Sequence, residues 1–82
     1  MQIQSIIEYK DCIQYLQSRQ LIAQYKKAKA KILSGDLKST CFKKRLPYKS
    51  EKYYFRINKQ YRAIGYFLEH TFIVFEIDNH QR

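Results

Sequence analysis

The stretch YYFRINKQYRAIGYFLEHTFIVFEI, residues 53–77, decides the fold. Its period is 2 rather than 3.6, and it is dominated by the β-branched and aromatic residues that pleated strands prefer. Residues 53–57 read as a strand, Asn58-Lys59-Gln60 as a turn, residues 61–68 as a second strand, Glu69-His70 as a second turn and residues 71–77 as a third strand. Turns this short leave no room for a crossover, so neighbouring strands are antiparallel. Alternation then sorts the side chains by face. Tyr53, Phe55 and Ile57 share one side, while Tyr54, Arg56 and Asn58 share the other. Arg62 groups with Ile64, Tyr66 and Leu68, and Phe72, Val74, Glu76, Asp78 and His80 have one parity. Arg56 and Arg62, six residues apart across a turn, are expected side by side on adjacent strands.

Upstream the period is helical. Tyr9, Cys12, Ile13 and Leu16 fall on one face of an amphipathic helix, and Leu21, Tyr25, Ala28 and Ile32 on one face of another, with Ile22 and Leu33 beside them. The step between the helices, around residues 18–20, is short, which makes them a helical hairpin. Ser34-Gly35-Asp36 ends the second helix, with Gly35 suited to the left-handed cap position. Residues 2–7 begin with alternation and end apolar, which favours a short strand; a capping box of Ser5 and Glu8 is the competing reading. Residues 40–46 offer a further short strand. The expected fold class is α+β: a short N-terminal strand, a helical hairpin, then an antiparallel sheet of three to four strands with one face covering the helices.

At 82 residues and 10.0 kDa, residues 1–82 form a single domain with a thin core. No apolar run approaches the length of a membrane span, and the opening Met-Gln-Ile-Gln-Ser carries no secretory pattern, so a cytoplasmic location is expected. Two cysteines, Cys12 and Cys41, are too few for a disulfide scaffold. With His70 and His80 they are scattered and lack close ligand spacing, which argues against a zinc site. No Gly-rich phosphate loop and no nucleophile-elbow motif is present.

Charge is the strongest functional signal. Sixteen Lys and Arg against seven Asp and Glu give a formal net charge of +9. Residues 43–62 hold Lys43, Lys44, Arg45, Lys49, Lys52, Arg56, Lys59 and Arg62 against Glu51 alone, whereas residues 63–82 are net acidic. A concentrated basic stretch is the electrostatic footprint of phosphate binding. Tyr48, Tyr53, Tyr54, Tyr61 and Tyr66 interleave with it, and tyrosine faces can stack unpaired bases. Taken singly, each lysine reads as a solvated surface group, each tyrosine as core, and Arg62 as the ion-pair partner of Glu76 or Asp78. The crowding of like charge on one small sheet is what favours a polyanionic partner.

The segment Phe55-Arg56-Ile57-Asn58-Lys59-Gln60-Tyr61-Arg62-Ala63-Ile64-Gly65-Tyr66 resembles the core signature of the RelE/ParE toxin superfamily: Arg-Ile, a turn, Tyr-Arg or His-Arg, then apolar residues leading to a Tyr. The ending Glu76-Ile77-Asp78-Asn79-His80-Gln81-Arg82 is similar to the family's close, and the layout of strand, helical hairpin and meander matches over nearly the whole chain. The nearest pattern is the YoeB-like and RelE-like branch of type II toxin–antitoxin systems. The resemblance implies a ribosome-dependent mRNA endonuclease that works without metal or cofactor. The ribose 2′-OH attacks the adjacent phosphate and leaves a cyclic phosphate and a free 5′-OH. By matched positions, Arg62 holds the scissile phosphate, Arg56 is a second cation, and His80 is the general acid. The general base stays open: where YoeB-like members carry a glutamate, this chain has Lys43-Lys44, and Lys43, Lys44 and Lys52 are the candidates. Gln81 stands at the substrate-binding position of the family's C-terminal tyrosine, and Tyr54 or Tyr66 is the candidate to supply the base stacking lost there.

The implied partners are the ribosome and mRNA and an acidic antitoxin protein, with a monomeric free toxin and no membrane. The same superfamily holds ParE-like members that inhibit DNA gyrase without the catalytic set, and a non-catalytic RNA-binding relative is a third reading.

Overall fold

The structure, a computed structural model, describes residues 2–79. A first strand, β1 (Ser5–Glu8), leads into helices α1 (Lys10–Ser18) and α2 (Ile22–Leu33). A two-residue strand, β2 (Lys43–Lys44), follows, then a 3-10 turn over Tyr48–Ser50. The meander closes the chain as β3 (Lys52–Arg56), β4 (Tyr61–Leu68) and β5 (Thr71–Asn79).

All five strands join one sheet in the order β1-β5-β4-β3-β2. The architecture is α+β as expected, but the sheet corrects the expectation of a three- to four-stranded antiparallel one. It is larger, and it is mixed, because β1 pairs parallel with β5, Ser5 opposite Thr71 and Glu8 opposite Val74. β1 and β5 are joined by most of the domain rather than by a turn, so no turn dictates their sense. Ser5 belongs to that ladder, with its Oγ 2.8 Å from Thr71 Oγ1, and the capping-box reading fails.

Both helices end on geometry rather than on composition. At the end of α2, the Gly35 N–H reaches Ile32 O and the Asp36 N–H reaches Lys31 O, with Gly35 at φ +98°. That is a Schellman closure, in which a residue without Cβ takes the left-handed position. α1 closes the same way through Gln20 and Leu21, with Gln20 at φ +58°. Between β3 and β4, Asn58 Oδ1 accepts the N–H groups of Gln60 and Tyr61, each at 2.8 Å. An Asx turn of this kind fixes the register of the strands that follow.

The core lies between the hairpin and one sheet face. Cys12, Leu16, Tyr25, Ala28 and Ile32 meet Ile6, Phe55, Ala63, Phe72 and Val74 there. Phe42, from the loop before β2, packs its ring against Tyr53, Phe55, Phe67 and Phe72 at centroid distances of 5.1–6.4 Å. Glu8 is turned toward α2. Its Oε2 accepts Tyr25 Oη–H at 2.6 Å and Lys29 Nζ at 2.8 Å.

β5 does not keep one parity from end to end. Ile64 lies opposite Glu76 and Gly65 opposite Val74, so Phe75 is an extra residue in the ladder. A bulge of this kind bends its strand and re-aims the side chains beyond it. Phe72 and Val74 face the helices, whereas Glu76 and Asp78 lie on the far face with Ile64 and Arg62. The single-parity reading is therefore overturned over residues 72–78 by one inserted position.

Candidate nucleic-acid interface

Directly opposed residues in an antiparallel ladder share a face. Arg56 is opposite Arg62, Tyr54 opposite Ile64, and Lys52 opposite Tyr66. Lys43 is opposite Tyr54, which brings the β2 edge onto the same side. These residues lie on the sheet face away from the helices, because their neighbours Phe55 and Ala63 point into the helix-side core. Four of the expected site cations, Lys43, Lys52, Arg56 and Arg62, thus share one surface with both expected stacking residues, Tyr54 and Tyr66.

At the turn end of that surface, the last ladder pair of β3 and β4 sets two guanidinium-bearing residues opposite each other. Like charges placed directly opposite destabilise a sheet, by roughly 0.2–1 kcal/mol for a pair of this type. The structure offsets the strain on one of them. Arg62 Nη2 lies 3.3 Å from Asp78 Oδ2, and its guanidinium carbon stands 4.7 Å from the Tyr54 ring centroid. The plain reading of Arg62 as the partner of Asp78 is thus part of the picture. The pair is single-pronged and partly solvated, with side-chain exposures of 26% and 30%. Such pairs contribute about 0–1 kcal/mol, a strength that a phosphate accepting charge-assisted hydrogen bonds can match.

An aromatic group lies at the other end of the β3–β4 ladder, four residues from the pair along each strand. Lys52 Nζ is 5.8 Å from the Phe75 ring centroid, and Phe75 packs on Tyr66 at 5.9 Å. Tyr66 Oη is 3.1 Å from Tyr9 Oη. That hydrogen bond raises the Tyr9 phenol above its ordinary value, because ionising it removes a proton the pair shares. Tyr9 reads in the sequence as part of the helix α1 face. Instead it precedes the helix, 45% exposed, and reaches round to the far face. Phe75 is likewise a site neighbour that strict alternation does not find, since it is the bulge residue; of the two carboxylates the sequence offers to Arg62, the structure selects Asp78.

Other expected members are elsewhere. Lys44 is opposite Tyr53, on the helix side, with its Nζ 5.6 Å and 5.9 Å from the Tyr48 and Tyr53 ring centroids. Lys44 is therefore separated from the arginine pair, and the Lys43-Lys44 pair splits across the sheet. Tyr53 and Tyr61 pack against the core rather than standing with the cations. Tyr48 is exposed on its 3-10 turn. Glu51 caps that turn in a left-handed conformation. His80 and Gln81 lie outside the described residues. The far face is also less basic than the linear count suggests, because β5 brings Glu76 and Asp78 beside the four cations.

Chemically, the face offers two cations at the spacing of adjacent strands and a third further along at Lys52, flanked by partly exposed ring area. That suits a phosphodiester whose neighbouring base is unstacked. No family model matches the chain, and no curated protein matches it. Among the described residues no three His, Cys, Asp or Glu side chains gather as a metal-binding group, and no helix is long and apolar enough to cross a membrane.

Proposed function

We propose that the chain is the toxin of a type II toxin–antitoxin pair and cuts mRNA in the ribosomal A site. One observation carries the reading: Arg56 and Arg62 oppose each other on the sheet face away from the helices, with Tyr54 against Arg62. Those arginines are the cations that the RelE/ParE-like signature assigns to the scissile phosphate. In the reaction the 2′ oxygen bonds to phosphorus and its proton passes to a base. The P–O5′ bond breaks, and the 5′ oxygen takes up a proton. Charge on the phosphorane is greatest midway, where two guanidinium groups are most effective. Lys52 and Lys43 are the lysines that share the arginines' face and are the remaining candidates for proton transfer; Lys44 is on the wrong side. His80 keeps the role of general acid in this proposal. An acidic antitoxin covers the same face in the cytoplasm and binds in a salt-dependent way.

A second reading is a binding module without catalysis, either a gyrase inhibitor or an RNA binder. It is favoured by the Arg62–Asp78 contact, which already engages the central cation. Translating ribosomes separate the two. Primer extension on the message, with wild type and Arg62→Ala side by side, shows A-site cleavage by wild type alone under the nuclease reading. Intact message, with plasmid left relaxed in a gyrase supercoiling assay, would establish the other.

A further inference from the structure

Round the edge of β3 from the arginine pair lies a cleft of about 390 Å³. Lys27 and Lys31 of α2 line one wall, and Arg56 and Lys59 line the other, with Ala28 and Ile57 between them. Among the described residues, no carboxylate lines it. Lys29, on the same helix, is ion-paired with Glu8; among the described residues, none of the four cleft cations forms an ion pair. Lys27 and Lys31 are one helical turn apart, a like-charge spacing that disfavours the helix by a few tenths of a kcal/mol. The nearby polar groups are committed. Asn58 Nδ2 donates to Gln24 Oε1, Thr40 Oγ1 donates to Leu37 O, and Ser39 donates to Asp36 through both its N–H and its hydroxyl. Asp36 lies near enough to Lys31 to feel its charge. Folding therefore accounts for the cleft's amides and hydroxyls and in part for Lys31, but not for Lys27, Arg56 and Lys59 turned toward the same concavity, where a positive field is focused.

We infer that this cleft is a nucleotide-phosphate site that shares Arg56 with the arginine pair on the sheet. Its volume falls in the range of small-ligand sites. The buried Ala28 and Ile57 give it an apolar floor for a sugar or base, and the four cations ring the position of the phosphates. The ligand is either a nucleotide unit of an RNA strand or a free nucleoside diphosphate. Arg56 lines the cleft and also opposes Arg62, so the two sites adjoin. The inference does not depend on cleavage, and its test does not read cleavage.

Equilibrium binding of ADP and of a short single-stranded oligouridylate is measured on the full chain, with wild type, the Lys27→Gln/Lys31→Gln double variant and Lys59→Gln. Thermal unfolding confirms that each variant is folded. Each lysine lost is expected to weaken the true ligand by about tenfold. If that ligand is RNA, the double variant also lowers the slope of log affinity against log salt by about 1.4. Loss confined to ADP assigns the cleft to a free nucleotide, and loss on the oligonucleotide assigns it to a strand. Failure of both probes to bind, or unchanged affinity of both in the folded variants, overturns the inference.

Discussion

Replacing Gly65 with alanine tests how closely β4 and β5 approach behind the arginine pair. A Cβ built at Gly65 would lie 2.3 Å from Ile73 O, 2.7 Å from Phe72 Cζ and 2.9 Å from Ile73 C. Two of those three atoms are backbone of the neighbouring strand, so a rotamer change does not relieve the contact. Bringing the closest one to the 3.4 Å of ordinary van der Waals contact moves β5 by about 1 Å at the start of its bulge. Phe72 and Val74, both fully buried, move with it. Overpacking usually costs about 1–3 kcal/mol, and a backbone clash belongs at the upper end. At about 3 kcal/mol, the melting temperature of a domain this size falls by about 12–24 °C. Gly35→Ala is the contrast, because nothing lies within 4 Å of its Cβ and only its φ of +98° opposes the change. Its cost is about 1–2 kcal/mol. Calorimetry or circular dichroism on the three proteins reads both values. A Gly65→Ala melting point within about 3 °C of wild type, or a larger loss at Gly35, would refute the packing argument.

Three further outcomes follow from the geometry. Glu8→Ala strands the buried Tyr25 hydroxyl and releases Lys29; urea denaturation should show a loss of about 2–3 kcal/mol, and Glu8→Gln, which keeps an acceptor, clearly less. The Asp36 carboxyl is held below its ordinary 3.8 by the Ser39 hydroxyl and then the Ser39 N–H. A depressed folded pKa means its contribution is present above 3.8 and lost as pH falls through the folded value; an NMR titration of Ser39→Ala should move Asp36 upward. Burial, with a smaller push from Asp11, raises the Cys12 thiol to about 11, so its contribution is present below its ordinary 9.0 and lost as pH rises through about 11. Mass spectrometry after a thiol reagent at neutral pH should find Cys41 labelled in the folded protein and Cys12 untouched until denaturation.

The meander was legible because its signals are local. Period-2 alternation and the Asn58 turn place β3 and β4 together, and from that the Arg56–Arg62 opposition follows. The helix-side core followed for the same reason, since Cys12, Leu16, Tyr25, Ala28 and Ile32 recur at helical spacing and are all buried. What was not legible depends on contacts far apart in the chain. The parallel pairing of β1 with β5 has no turn to announce it, and β2 is held by a ladder of only two pairs. Phe42 lies in a loop with no periodicity, yet four rings meet it. The Phe75 bulge breaks the parity rule and sets Phe75 beside Tyr66; it also decides between Glu76 and Asp78, the two partners the sequence offers Arg62, in favour of Asp78. Lys43 and Lys44 are adjacent in sequence, and the pleat itself puts them on opposite faces.

The account stands or falls on the opposed arginines as a phosphate site. Single-turnover cleavage of message on programmed ribosomes should be measured for wild type, Arg56→Ala, Arg62→Ala and the double variant. Removing one preorganised cation from a charged transition state costs about 10²–10³ in rate. The account predicts a loss of that order for Arg62→Ala, a loss for Arg56→Ala, and a double variant close to the uncatalysed level. Cleavage that persists at the wild-type rate in Arg62→Ala, or no cleavage by wild type, would contradict it.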